Sequence, residues 1–337
     1  MSEANIMNMG DLGEREFLES IRNYVNILKD AKLGFDDDAS DIPLSSEQSL
    51  VINVDTFVRK TDWLPGMSAV QVGRKTAVMA LSDLAAKGAK PLATMLSLCI
   101  PEHFDVSEAD EILRGFSQYS IKSEVPFIGG DLGMTSDVVL TAVAIGIAHP
   151  DAIIPRNGAR PGDIIVVTGN FGFTSVAYEI LINGKEADPE LEKNALLAAY
   201  KPVIDPGIVS AIAEKKAVTA SMDSSDGLGI TLHTMAKLSG VAFVVDNLPT
   251  AQGVEIFAQR NKMNEMEFVM KGGEEFLLVM TIPRDKLEFA REVAASRHIP
   301  LIEIGHVQEG DQVVYESSGG RVNIPSTGYD NFKEWKI

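Results

Sequence analysis

The stretch "HPDAIIPRNGARPGD" at residues 149–163 divides this chain. Proline fixes the backbone and removes a donor, and glycine loosens it. A run rich in both, with Arg and Asp between them, reads as a connection rather than as part of a sheet or helix. Before it the pattern runs as an opening helix at 14–31 and a β-branched strand "SLVINVDTFV" at 49–58. A helix at 69–89, a strand at 92–100 and a helix at 107–123 follow, then strands at 125–129 and 137–148. Beyond it come a strand at 163–169, a helix at 173–184 and helical stretches over 189–215. The segment "VTASMDSSDGLGITLHTMAKLSG" leads to strands at 241–246 and 275–282, a helix at 285–297 and strands at 301–307 and 312–317. Residues 1–150 thus read as one domain and 151–337 as a second. The class is α+β or α/β, each half mixing helices and strands.

Hydrophobic residues make up 45% of the chain and charged residues 23%, the balance of a folded protein. Acids outnumber bases 48 to 30, for a formal charge of −18. Such a surface repels nucleic-acid phosphates and anionic membranes, so neither is an expected partner. The surplus acid reads first as solubility. The more specific reading is that some carboxylates hold cations that in turn hold phosphates. The one cysteine, Cys99 in "TMLSLCI", reads as a core residue and fits a reducing compartment. The N-terminal "MSEANIMNMGDLGERE" has no signal-peptide pattern. The longest apolar stretch, "VVLTAVAIGIA" at 138–148, has 11 residues where a membrane helix needs about 20. A soluble cytoplasmic protein is expected.

Familiar phosphate-binding fingerprints fail. "GMSAVQVGRKT" at 66–76 ends like a P-loop, but its glycines are too far apart and an arginine precedes the lysine. "GLGITL" at 227–232 lacks the third glycine of a dinucleotide-binding turn. No histidines pair at metal-ligand spacing, and each reads as an ordinary surface or core residue. Carboxylates recur at the edges of apolar segments instead. Asp55 lies inside "VINVDTFV", Asp83 in "ALSDLAAKG" and Asp131 after "FIGG". Asp223 and Asp226 lie in "SMDSSDGLG", and Glu274 and Glu275 in "KGGEEFLLV". Any one alone reads equally as a cap or turn former. Taken together they need cations, hydrogen bonds or raised pKa values, and oxygen ligands without His or Cys suit Mg²⁺ and phosphate substrates. "GGD" at 129–131 and "GGE" at 272–274 put an acid where the backbone can approach closely. Ser225 and Asp226 open a helix whose free N–H groups favour an anion or a cap.

Four more aspartates crowd "GFDDDASD" at 34–41. "DDASD" spells the Asp-Asp-x-x-Asp pattern of prenyl-chain synthases. Those enzymes carry it on a long helix, whereas here Pro43 and a strand follow, so Asp41 is expected in solvent.

In order along the chain, "DDDAS", "VDTFV", "SDLAAKGAKP", "IGGD", "PRNGARPGDIIVVTG", "MDSSDGL", "GGEEFLLV" and "GYDNF" resemble the motifs of the thiamine-monophosphate kinase family. That family lies in the superfamily of aminoimidazole ribonucleotide synthetase, and "VRKTDWLPGMS" looks most like its archaeal branch. The resemblance implies an N-terminal ATP- and Mg²⁺-binding domain whose sheet pairs with a second subunit's into a barrel, hence a homodimer. A C-terminal α/β domain would complete the site. It implies ATP as co-substrate and thiamine monophosphate as acceptor, with several Mg²⁺ ions held by Asp37, Asp55, Asp83, Asp131, Asp223 and Asp226. Asp38 would support Asp37. Gly130, Asp131, Arg156 and Ser225 would contact the nucleotide, and Asp62, Glu274 and Tyr329 the acceptor. Three departures mark this chain. Asp36 replaces a family glycine, Asp62 stands where the family has a histidine, and Glu275-Phe276 replaces Asp-Tyr.

Two other readings stay open. One is another ATP-dependent enzyme of the superfamily, close to aminoimidazole ribonucleotide synthetase. The other is a non-catalytic nucleotide-binding regulator, against which the full set of aspartates argues. The cysteines that mark the selenophosphate and hydrogenase-maturation relatives are missing.

Overall fold

The computed structural model describes residues 8–330 and Phe332. The first seven residues of the segment read for a signal peptide, and Asn331 of "GYDNF", lie outside the described residues. Five strands form the first sheet: β1 (Ser40–Pro43), β2 (Ser49–Val58), β3 (Lys90–Ile100), β4 (Phe127–Met134) and β5 (Val139–Ala148). Their order is β1-β2-β5-β3-β4, with β3 and β4 parallel and every other pair antiparallel. The β-branched run at 49–58 is strand throughout.

Two helices cover one face of this sheet, Ala69–Ala86 and Val106–Lys122. Ser68 and Gln71 form a capping box at the start of the first, and the Asp105 side chain accepts from Ser107 and Glu108 N–H at the start of the second. They cross at two glycines. A Cβ on Gly73 would stand 1.8 Å from Ile112 O, and one on Gly115 2.0 Å from Val70 O. The second glycine of the failed P-loop match therefore serves helix packing. Among the described residues the sheet's other face lacks a helix, and Val54 there is 61% exposed. Leu132 and Met134, on the helix-covered side by register, are exposed because β4 is the edge strand.

Seven strands form the second sheet: β6 (Ile164–Val167), β7 (Ala220–Ser224), β8 (Ala242–Val245), β9 (Leu277–Ile282), β10 (Ile302–Gln308), β11 (Val313–Ser317) and β12 (Gly320–Asn323). The order is β12-β11-β8-β10-β6-β9-β7, antiparallel except for β8 with β11. Helices lie on both faces. In β6, Ile165 and Val167 join a core with Leu232 of the helix Leu228–Ser239, while Ile164 and Val166 join one with Ile212 and Ala290. A third core runs from Val51, Leu81 and Leu140 into Val176, Ala195 and Phe257, tying the first sheet's helices to those that follow residue 172. The two halves thus share packed apolar surface.

The expected opening helix is shorter than its pattern. It spans Glu14–Ile21, with a 3-10 turn at Arg22–Tyr24, and no residue of either is buried. Helices are held mainly by burying a face, and here the face has little to pack on. The short β1 and helices at Val254–Asn261 and Glu265–Lys271 were not anticipated. No helix of the described residues is long and apolar enough to cross a membrane.

Candidate active site

The "DDDAS" loop escapes its own repulsion because three cations, Arg22, Lys87 and Arg156, lie among its three aspartates. Asp36 takes a bidentate contact from Arg22, at 2.9 and 2.5 Å, which holds its carboxyl below the usual range. Asp37 Oδ1 accepts from Lys87 Nζ at 2.5 Å, and its Oδ2 from the Arg156 backbone N–H at 3.1 Å. Asp38 pairs with the Arg156 guanidinium, and with Lys87 Nζ at 2.7 Å. Burial works to raise the Asp38 pKa, but Arg156 and Lys87 outweigh it. Arg156 Nη1 also donates to Asp36 O at 2.6 Å. Lys87, wholly buried just past the helix Ala69–Ala86, donates to Ser221 O at 2.9 Å as well. A lysine inside the apolar run "SDLAAKGAKP" was the sequence signal for it.

Asp38, Asp83 and Asp223 converge, each offering an oxygen within 4.8 Å of the others. They come from the loop, from the helix Ala69–Ala86 and from β7, so the group spans both halves of the chain. Asn53 Nδ2 donates to Asp83 Oδ2 at 3.0 Å, and Ser82 Oγ to Asp223 Oδ2 at 2.8 Å. Asp223 Oδ1 is buried with no hydrogen-bond partner among the described residues. Burial, then the Asp223 and Asp38 charges, push Asp83 well above the carboxylate range. Burial and Asp38 likewise push Asp223 up to about 7. Asp55 adds to the repulsion on both and is itself raised by burial. Crowded oxygen donors, excess negative charge and an unpartnered buried oxygen fit a divalent cation. Asp38, itself paired with Lys87 and Arg156, stands in this group, whereas Asp37, first choice from the sequence, does not.

Other expected residues lie apart. Asp131 on β4 pairs with Ser97, which pairs with Thr141, which pairs with Thr56. Successive strand residues face opposite sides, so this row lies on the other face from Asp55. Asp131 is exposed and outside the carboxylate group. Neighbouring Gly130 leaves no room for a side chain, since a Cβ there would meet Leu96 O at 1.7 Å. Asp226 accepts from Arg15 at 2.8 Å, and its carbonyl accepts from Tyr329 N at 2.9 Å. Ser225 O accepts from Glu274 N at 2.6 Å, so Ser225, Asp226, Glu274 and Tyr329 share one corner of the cleft.

In that corner Lys75 Nζ and the Tyr178 hydroxyl both bond the Glu274 carboxylate. Asp62 is buried. Its Oδ2 accepts from Val58 N at 2.6 Å, and burial with the Glu274 charge pushes it up to about 6. Glu275 turns the other way. It accepts from Gly172 N at 2.8 Å, Thr174 N at 3.2 Å and Thr174 Oγ1 at 3.1 Å, so it caps the helix Phe173–Leu181. Asp41 corrects the expectation of a solvated side chain. It is 3% exposed and accepts from Lys32 N at 2.8 Å and Leu33 N at 2.9 Å, satisfying loop donors that no strand reaches.

Comparison with known proteins was made against this geometry. Residues 36–148 match the AIR synthase related protein, N-terminal domain, and residues 160–316 its C-terminal domain. The thiamine-monophosphate kinase of Nitrosopumilus maritimus is 34% identical over 288 residues, covering 85% of this chain and 90% of that protein. The chain belongs to the thiamine-monophosphate kinase family. Among solved structures of this fold, a Thermus thermophilus protein has a TM-score of 0.83 at 29% identity, covering 94% of this chain and 99% of that one. A thiamine-monophosphate kinase from Stenotrophomonas maltophilia has a TM-score of 0.73 at 26% identity, covering 90% and 95%. The family match begins at Asp36, where the aspartate loop starts, breaks at residue 148 and resumes at Arg160, within the Pro- and Gly-rich connection.

Proposed function

We propose that this chain phosphorylates thiamine monophosphate with ATP, giving thiamine diphosphate and ADP. Membership of the kinase family supports the reaction. The observation that carries it to this chain is the meeting of Asp38, Asp83 and Asp223 beside Arg156 and Lys87.

Mg²⁺ would be held by Asp38, Asp83 and Asp223, with Asp37, Asp55 and Asp226 in support. When bound, such ions neutralise phosphate charge and hold two anions together. Phosphoryl transfer asks mainly for positioning and charge neutralisation. The acceptor is itself a phosphate, ionised near neutral pH, so no side chain need act as a strong base. Arg156, whose guanidinium now donates to Asp36 O and Asp38, has the fork geometry to grip a phosphate. Gly130 permits close backbone approach of the nucleotide, and Ser225 lies one residue from Asp226. Asp62, Glu274 and Tyr329 would form the acceptor pocket. Transfer is then direct and in line, with no phosphoenzyme.

The bare face of the first sheet favours a homodimer, in which a second copy covers Val54 and the row Thr56, Thr141, Ser97 and Asp131. Asp131 and Gly130, exposed at that sheet's β4 edge, would serve metal and nucleotide in such an assembly. Purified protein with MgATP and thiamine monophosphate should form thiamine diphosphate and ADP in equal amounts by chromatography. ADP formed only with another acceptor overturns the assignment.

A further inference from the structure

Lys75 is wholly buried in the helix Ala69–Ala86, and its ammonium is committed. It forms an ion pair with Glu274, lies 3.4 Å from the Asp62 carbonyl oxygen, and sits 5.9 Å from the centre of the Phe57 ring. Glu274 also accepts from Tyr178 and has φ of +61°, a backbone state that a residue with a Cβ adopts only where its surroundings impose it. The direction of the Glu274 carboxylate is therefore fixed, and its charge is matched by Lys75.

Asp62 is in the opposite condition. The Val58 N–H holds its carboxylate in place, but no Lys, Arg or His nitrogen among the described residues ion-pairs with it. Asp226 is matched by Arg15 and Glu274 by Lys75, so the three carboxylates and two cations leave one negative charge, that of Asp62, in a corner that also carries Phe57, Tyr178 and Tyr329. Of these aromatics Phe57 and Tyr178 are buried and Tyr329 is partly exposed. One unmatched carboxylate beside an accessible aromatic ring suits an organic cation and repels a phosphate.

We propose that Asp62 is a specificity-determining residue: with Glu274 neutralised by Lys75, the Asp62 carboxylate pairs with the positively charged ring of the acceptor and selects it over a neutral ring of the same shape. The acceptor's phosphate then points away from Asp62, toward Arg156. The proposal rests on the reading of the acceptor as thiamine monophosphate, and it assigns to Asp62 and Lys75 a division of labour that the reaction alone does not require.

The test compares kcat/KM, with saturating MgATP, for thiamine monophosphate and for its neutral thiophene isostere. Wild-type protein should prefer the cationic ring by about tenfold or more, the size of one charge contact in a partly desolvated pocket. Asp62→Asn keeps an oxygen for the Val58 N–H, so it should bring that ratio close to one while leaving the KM for ATP unchanged. A variant that keeps the wild-type ratio overturns the proposal. If Asp62→Asn does not fold, the wild-type ratio decides, and equal use of both rings overturns it. A wild-type protein that phosphorylates neither compound overturns the preceding functional reading instead. Calorimetric binding of the two compounds then measures the same preference, and equal affinities reject the role of Asp62.

Discussion

Lys87 Nζ lies 2.5 Å from Asp37 Oδ1, and the same buried ammonium lies 2.7 Å from Asp38 Oδ2. One cation thus compensates two members of a run of three aspartates, while Arg156 compensates the third side of the loop through Asp36 O and Asp38. Removing one member of a buried ion pair leaves the other uncompensated and costs about 3–5 kcal/mol. Lys87→Met should lose about that much stability in urea unfolding. A variant within about 0.5 kcal/mol of wild type, the usual range for surface substitutions, would mean that the pair does not hold the loop.

The metal-free carboxylate group should make stability fall with rising pH. Asp83 is raised well above the ordinary value and Asp223 to about 7, both first by burial. A carboxyl raised in the folded state contributes its stability fully below its unfolded pKa of about 4 and loses it as pH climbs through the folded value. The melting temperature in EDTA should therefore drop between pH 5 and pH 8, and Mg²⁺ should restore it at pH 8. Asp223→Asn should flatten the pH profile, raise the metal-free melting temperature at pH 8 and weaken the response to Mg²⁺. Unchanged profiles in wild type and variant would count against a cation site here.

Glu275 predicts a structural effect separable from turnover. Its Oε1 accepts three bonds at the start of the helix Phe173–Leu181. Glu275→Ala strands those buried donors and should cost about 1–3 kcal/mol in denaturant unfolding. Glu275→Gln keeps an acceptor oxygen and should cost less. Equal losses in the two would show that the bonds are not what the residue supplies.

Some of this was legible in residue types. Strand β2 announced itself through β-branched residues, and aspartates in apolar surroundings marked Asp83 and Asp223 as residues in need of a partner. What could not be read was which oxygen meets which cation. Asp37 and Asp38 are adjacent, identical in type and both paired with Lys87, and only the path of the loop brings Asp38 rather than Asp37 to Asp83 and Asp223. Asp41 is expected in solvent once the helical context of its Asp-Asp-x-x-Asp pattern fails at Pro43, yet loop donors at Lys32 and Leu33 claim it. Glu275 sat beside Glu274 in one motif, but their side chains diverge, with Glu274 held at positive φ. Lys75 gave no periodic signal, because a buried lysine and an apolar residue occupy the same helical face.

The bare sheet face predicts association. Wild-type protein should sediment at twice the chain mass. Val54→Glu, placed where the chain alone leaves that side chain 61% exposed, should shift it to the monomer without unfolding it. A wild-type monomer at micromolar concentration would refute the dimer.

The central claim is most directly tested by following γ-labelled ATP with thiamine monophosphate and Mg²⁺, in wild type and in Asp223→Asn. The account predicts that label passes into thiamine diphosphate in the wild type, and that the variant, with its cation site dismantled, is slower by about a hundredfold or more, near 3 kcal/mol of transition-state stabilisation. Label appearing only as inorganic phosphate, or a variant transferring it at the wild-type rate, would contradict it.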